Sequence, residues 1–135
     1  MRKVSAALAL ILGFAAIAFG CRKSAPVLHL YTWADYIDPD LVKQFEQENG
    51  CQVMIDTFDS NEAMYAKLKA GATGYDLLTP SSYMVSLMRA QDMLGGIDHA
   101  LIPNLVHVDP EYLKIAADPD MGYSVPYMVS NSGLA

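Results

Sequence analysis

Strand and helix signals alternate along this chain at a spacing that leaves few folds open to it. Val27 to Thr32 is an apolar run suited to a buried strand, and Asp38-Pro39 follows as a helix cap with proline in the first turn. Leu41, Val42 and Phe45 then share one helical face, and Gly50 supplies the stop. Gln52 to Phe58 reads as a second strand. Ser60 or Asn61 caps the next helix, with Met64, Tyr65 and Leu68 inward and Gly71 at its end. Tyr75 to Leu78 is a short third strand cut off by Pro80, and Ser81 or Ser82 caps a third helix carrying Val85, Leu87 and Met88. Repeated strand-helix units imply right-handed crossovers, and hence an α/β fold: a three-layer αβα arrangement around a parallel sheet covered on both faces.

Beyond Met93 the signals are less regular. Gly95-Gly96 marks a loop, Asp109-Pro110 opens a short helix through Lys114, and Asp118-Pro119-Asp120-Met121-Gly122 is a turn dense in breakers. Tyr123 to Val129 reads as a last strand, and Pro126 inside it points to an edge or an irregular crossing. Cys51 opens the alternation Cys51, Val53, Ile55 and reads as a small buried hydrophobe.

In an open parallel sheet ligands sit beyond the carboxyl ends of the strands. Three polar clusters fall there: Trp33-Ala34-Asp35-Tyr36 after the first strand, Ser60-Asn61-Glu62 after the second, and Ser81-Ser82-Tyr83 after the third. The first has the most specific chemistry. A carboxylate flanked by two large aromatics offers an organic cation an anion for its charge and ring faces for its methylenes. The plainer reading makes Trp33 and Tyr36 core aromatics and Asp35 a turn cap.

At the start of the chain, Arg2-Lys3 precede an apolar stretch from Val4 to Phe19 that stops at Gly20-Cys21. This has the layout of a secretory signal and is shorter than the roughly 20 residues of a membrane-spanning helix. Residues 1–20 are therefore expected to be removed, with Cys21 at the cut as a lipidation site and residues 21–26 as a tether. A plain secretory signal with a soluble product is the alternative. Without Arg2 and Lys3, nine basic residues become seven against 15 acidic ones, and the formal charge moves from −6 to −8. Such a surface disfavours nucleic acid and suits cationic ligands.

Four segments together resemble a known family: Leu30-Tyr31-Thr32-Trp33-Ala34-Asp35-Tyr36, then Asp59-Ser60-Asn61-Glu62-Ala63-Met64-Tyr65-Ala66-Lys67-Leu68, then Tyr75-Asp76-Leu77-Leu78-Thr79-Pro80-Ser81-Ser82-Tyr83, and Tyr123-Ser124-Val125-Pro126-Tyr127. In these the chain is similar to the solute-binding proteins of spermidine/putrescine ABC importers, with the type II periplasmic-binding-protein fold. The resemblance implies a two-lobed protein, periplasmic or on the outer face of the cytoplasmic membrane, that closes on a polyamine and delivers it to an ABC permease. It implies no cofactor. Trp33 and Tyr36 match the family's aromatic contacts, Asp35 an acidic position that takes an ammonium, and Ser81 and Tyr83 the serine and aromatic of the third-strand loop. Ala34 departs from the polar residue often found there, which bears on the polyamine preferred. The resemblance further implies that residues 27–128 are the N-terminal part of the first lobe, that residues 129–135 begin the hinge crossing, and that a second lobe is missing.

Other chemistry is sparse. His29, His99 and His107 lack metal-ligand spacing, and the positions of Glu46 and Glu48 two apart on one helix read as solvated. Gly71-Ala72-Thr73-Gly74 precedes a strand, the wrong order for a phosphate cradle, and reads as a helix stop and turn. A binding protein of this fold for another solute, or a polyamine sensor, are the competing readings. An enzyme would need a nucleophile or a paired acid and base, and no such constellation appears.

Overall fold

The computed structural model describes residues 24–130 and residue 133. The expected signal segment and the lipidation site at Cys21 lie outside the described residues. Strand β1 spans Val27–Trp33, helix α1 Pro39–Asn49, β2 Gln52–Phe58, α2 Asn61–Lys69, β3 Leu77–Leu78 and α3 Ser82–Arg89. Two short 3-10 turns, His99–Leu101 and Pro103–His107, and a one-turn helix α4, Pro110–Leu113, complete the order.

All three strands are parallel, in the order β2-β1-β3. β1 and β2 pair along their full lengths, from Val27 with Gln52 to Trp33 with Phe58. The chain thus steps from β1 to one side, then crosses back over β1 to the other. With right-handed crossovers that reversal places α1 and α2 on opposite faces of the sheet, the layered arrangement expected of the sequence.

Caps set the helix limits. Asp38 accepts from the Asp40 amide at 2.8 Å with Pro39 in the first turn, and Gly50 ends α1 in the left-handed region at φ 60. Ser60 caps α2 by accepting from the Ala63 amide at 3.1 Å. Ser81 stands at the cap position of α3 without bonding its helix, because its hydroxyl accepts from Asn61 instead. The turn after α2 uses Gly71 at φ 99 and Gly74 at φ 88, conformations that a residue with a Cβ adopts only under strain.

The core lies between one sheet face and the helices α2 and α3: Tyr31, Phe58, Met64, Met84 and Met88 are buried together, Met64 and Met88 completely. Tyr31 stacks on Tyr75 at 4.6 Å and meets Phe58 edge-on at 5.0 Å. The opposite face is far more open than the patterning predicts. Leu41 and Phe45 of α1 are exposed, Val42 is half-buried, and α1 buries no residue at all. On the sheet, Leu30 is buried in the central strand, while its register partners Ile55 and Leu77 on the flanking strands are exposed. Three strands give that helix too narrow a seat, and Cys51 and Val53 end half-buried; on the other face Leu87 of α3 is exposed, against the inward position expected of it.

Three further expectations need correction. β3 begins at Leu77 and not Tyr75, since the Asp76 carboxylate takes the His29 amide at 2.8 Å where a ladder partner would stand. Glu46 is not simply solvated; it accepts from the Val53 amide at 2.7 Å and ties α1 to β2. Tyr123 to Val129 forms no strand. Pro126 has no amide to give, and the Tyr123 and Ser124 amides go to the buried Asp118 carboxylate at 2.6 and 2.9 Å.

Candidate functional site

β1 is where the strand order reverses, so the crevice characteristic of open parallel sheets falls at its carboxyl end. Trp33-Ala34-Asp35-Tyr36 leaves the sheet there. Trp33 is half-buried against Phe58, ring centroids 4.6 Å apart, and lies 6.1 Å from the Tyr36 ring. Asp35 and Tyr36 are exposed. Asp35 adopts φ 58, a left-handed conformation that aspartate tolerates better than most residues but still at some energetic cost. The tight turn after β1 thus holds the acid between the two aromatics along the chain.

Among the described residues the ion pairs take up Asp40, Asp56, Glu111 and Asp118; Asp35, like Asp38, Asp59 and Glu62, is in none of them. Asp56 is a clear contrast. The Tyr75 hydroxyl donates to it at 2.5 Å and Lys67 sits 3.4 Å away, so its carboxyl is held below the usual 3.8, first by the phenol and then by the ammonium. That cluster is neutralised internally and leaves little for a ligand.

The other two strand ends are joined to this one by side chains. Thr79 donates to Thr32 across β3 and β1 at 2.6 Å. Asn61 donates to the Ser81 hydroxyl and accepts from the Ser81 amide, both at 3.0 Å, which locks the start of α2 to the start of α3. Asn61 is buried, and Ser81 is half-buried. Tyr83, 56% exposed, donates its hydroxyl to Glu62 at 2.8 Å. This bond lowers the Glu62 carboxyl from its ordinary 4.5 and raises the Tyr83 phenol from 10.0, since each favours the protonated phenol facing the ionised acid.

A fourth element reaches the rim from far along the chain. The Tyr127 hydroxyl donates to the Tyr36 carbonyl at 2.8 Å. Its segment is anchored in turn by Asp118, which also faces Arg89 at 3.6 Å, and Arg89 lies 4.7 Å over the Tyr123 ring. A cavity of about 510 Å³ is lined by Tyr127 together with Asp109, Tyr112 and Met128; none of Trp33, Asp35, Ser81 or Tyr83 is in its lining.

The structure therefore puts Trp33, Asp35, Tyr36, Ser81 and Tyr83 on strand ends that are tied into one rim. Asn61 and Glu62, in the polar cluster expected after β2 but not among the expected ligand contacts, and Tyr127 belong to the same rim. For Glu62 and Asn61 the signal was present in their position just after β2. For Tyr127, 91 residues from its partner, there was none.

An open parallel sheet with an exposed acid and aromatic rings at its switch point has the layout of one lobe of an α/β fold in which ligands sit beyond the strand ends. Comparison with known proteins narrows the class. The chain is 42% identical over 109 residues to the putrescine-binding periplasmic protein PotF of Escherichia coli, covering 79% of this chain and 30% of PotF. Among solved structures it is similar to the spermidine/putrescine ABC transporter substrate-binding protein PotD of Streptococcus pneumoniae, with TM-score 0.72 and 46% identity over 76% of this chain and 32% of that one. The TpPotD lipoprotein of Treponema pallidum gives TM-score 0.71 and 47% identity with the same coverage. No family model matches the chain. Over about three quarters of its own length the chain is thus similar to spermidine/putrescine-binding periplasmic proteins, and it spans about 30% of the length of the curated relatives it matches.

Proposed function

We propose that the chain supplies one wall of an extracytoplasmic polyamine site and serves an ABC importer of spermidine or putrescine. The observation that carries this reading is the exposed Asp35 carboxylate, without a cation of its own, set among Trp33 and Tyr36 at the switch point of the sheet. A polyamine presents ammonium groups separated by methylenes. Asp35 would take one ammonium, Trp33 and Tyr36 would flank it, and Ser81 and Tyr83 would meet the chain that follows. A ring face beside an ammonium contributes roughly 0.5–2 kcal/mol.

Asp35 neutralises one ammonium while Glu62 is engaged by the Tyr83 hydroxyl, so this rim is a half-site and its affinity is expected to be weak by itself. In this reading residues 27–128 belong to the first lobe, and residues 129–135 open the crossing to a second. The N-terminal signal with Cys21 as lipid anchor is part of the proposal, supported by the segment's composition and by a lipoprotein among the similar structures. Its partner would be a membrane permease, and no catalytic step is assigned to it.

The test is calorimetric titration of putrescine and spermidine into the chain and its Asp35→Asn variant. Weak binding, abolished or cut at least tenfold by the substitution, supports the reading. Binding that is indifferent to Asp35→Asn returns that residue to the role of a turn former and refutes it.

A further inference from the structure

We propose that Glu62 is a positioning residue of this rim: by accepting the Tyr83 proton, it fixes the Tyr83 oxygen as a hydrogen-bond acceptor, so that the site favours an ammonium guest over a hydroxyl or carboxylate one. The inference rests on the polyamine reading above and deepens it. A phenol has one proton and can otherwise only accept. An ionised carboxylate is acceptor-only, so the bond of 2.8 Å between Tyr83 and Glu62 runs in one direction. The Asn61 side chain also lies close enough to donate towards that oxygen, and the acceptor capacity left over, on an exposed ring, is what a guest meets.

That arrangement sorts guests by chemistry. An ammonium is donor-only and charged, and its bond to an oxygen polarised by a neighbouring anion is of the stronger, charge-assisted kind. An alcohol can donate to the same lone pair but brings no charge. A carboxylate brings lone pairs against lone pairs and a negative charge towards Glu62. Glu62 is well placed to hold this polarity. It lies in the first turn of α2, where the helix favours an ionised acid, and Asn61 beside it locks that turn to the Ser81 turn preceding Tyr83.

The experiment follows the indole signal of Trp33, the sole tryptophan of the chain, by NMR during titration at matched ionic strength. Three guests of equal length are compared: 1,4-diaminobutane, 4-aminobutan-1-ol and 4-aminobutanoate. The unsubstituted chain is expected to prefer the diamine to the amino alcohol. Glu62→Gln, which keeps the shape and removes the charge, is expected to narrow that preference by about three- to tenfold. Tyr83→Phe should narrow it similarly, and Glu62→Gln in the Tyr83→Phe background should add nothing further.

A merely structural role for Glu62 would weaken all guests alike and leave the ratio where it was, and that result overturns the proposal. So does a narrowing by Glu62→Gln that persists in the Tyr83→Phe background, because Glu62 would then act on the guest directly. Failure of the polyamine reading looks different: the diamine leaves the Trp33 signal of the unsubstituted chain unmoved, and both ideas fall together.

Discussion

Removing the Asp118 side chain should loosen the segment that reaches the rim, and the structure gives the size of the effect. Asp118 is 2% exposed; one of its oxygens accepts from the Tyr123 and Ser124 amides at 2.6 and 2.9 Å, and the other faces Arg89 at 3.6 Å. A hydrogen bond to a charged acceptor is worth about 1.5–3 kcal/mol. The Arg89 side chain is half-exposed, so its ion pair adds less than about 1 kcal/mol. Water can reach Tyr123 once the carboxylate is gone, which recovers part of the loss. Asp118→Ala should therefore cost about 2–4 kcal/mol, a large share of the 5–15 kcal/mol typical of a domain. Asp118→Asn can turn its remaining oxygen towards both amides and should cost about half as much. Urea denaturation followed by Trp33 fluorescence measures the totals, and amide hydrogen exchange at Tyr123 and Ser124 locates them. A cost below about 0.5 kcal/mol for Asp118→Ala, or unchanged exchange at those two amides, would refute the reasoning.

Two further outcomes follow from the rim itself. NMR titration of the Glu62 carboxyl should give a pKa below 4.5, and Tyr83→Phe should return it towards that value. A carboxyl depressed in the folded chain contributes stability above its unfolded pKa and loses it as pH falls through the folded value, so Tyr83→Phe should flatten the acid side of the stability profile below about pH 4.5. Asn61→Ala leaves the Ser81 amide and hydroxyl without their partner in a half-buried place; a loss of about 1–3 kcal/mol in chemical denaturation is expected, and an unchanged midpoint would mean that water replaces the bond fully.

Much of this protein was legible in its residues because the signals were local. Asp38-Pro39, Gly50, Ser60 and Gly71 mark helix ends through bonds and dihedrals within a few residues of themselves, and the strand-helix alternation fixes the parallel sheet. From that sheet follows the prominence of Trp33, Asp35 and Tyr36, since the switch point lies wherever the first strand ends. The patterning misled where burial depends on what lies opposite: Leu41, Phe45 and Ile55 carry an inward pattern that a three-stranded sheet leaves exposed.

What only the tertiary structure decided is which polar groups meet. Tyr123 to Val129 has strand-like composition, yet an acid at position 118 claims two of its amides and turns it into a strap. The strap's Tyr127 meets Tyr36, Tyr83 meets Glu62, and Ser81 serves Asn61 in place of its own helix. Each is a pairing of side chain with side chain or backbone across 20 residues or more, set by how elements pack and not by periodicity, and no spacing along the chain encodes it.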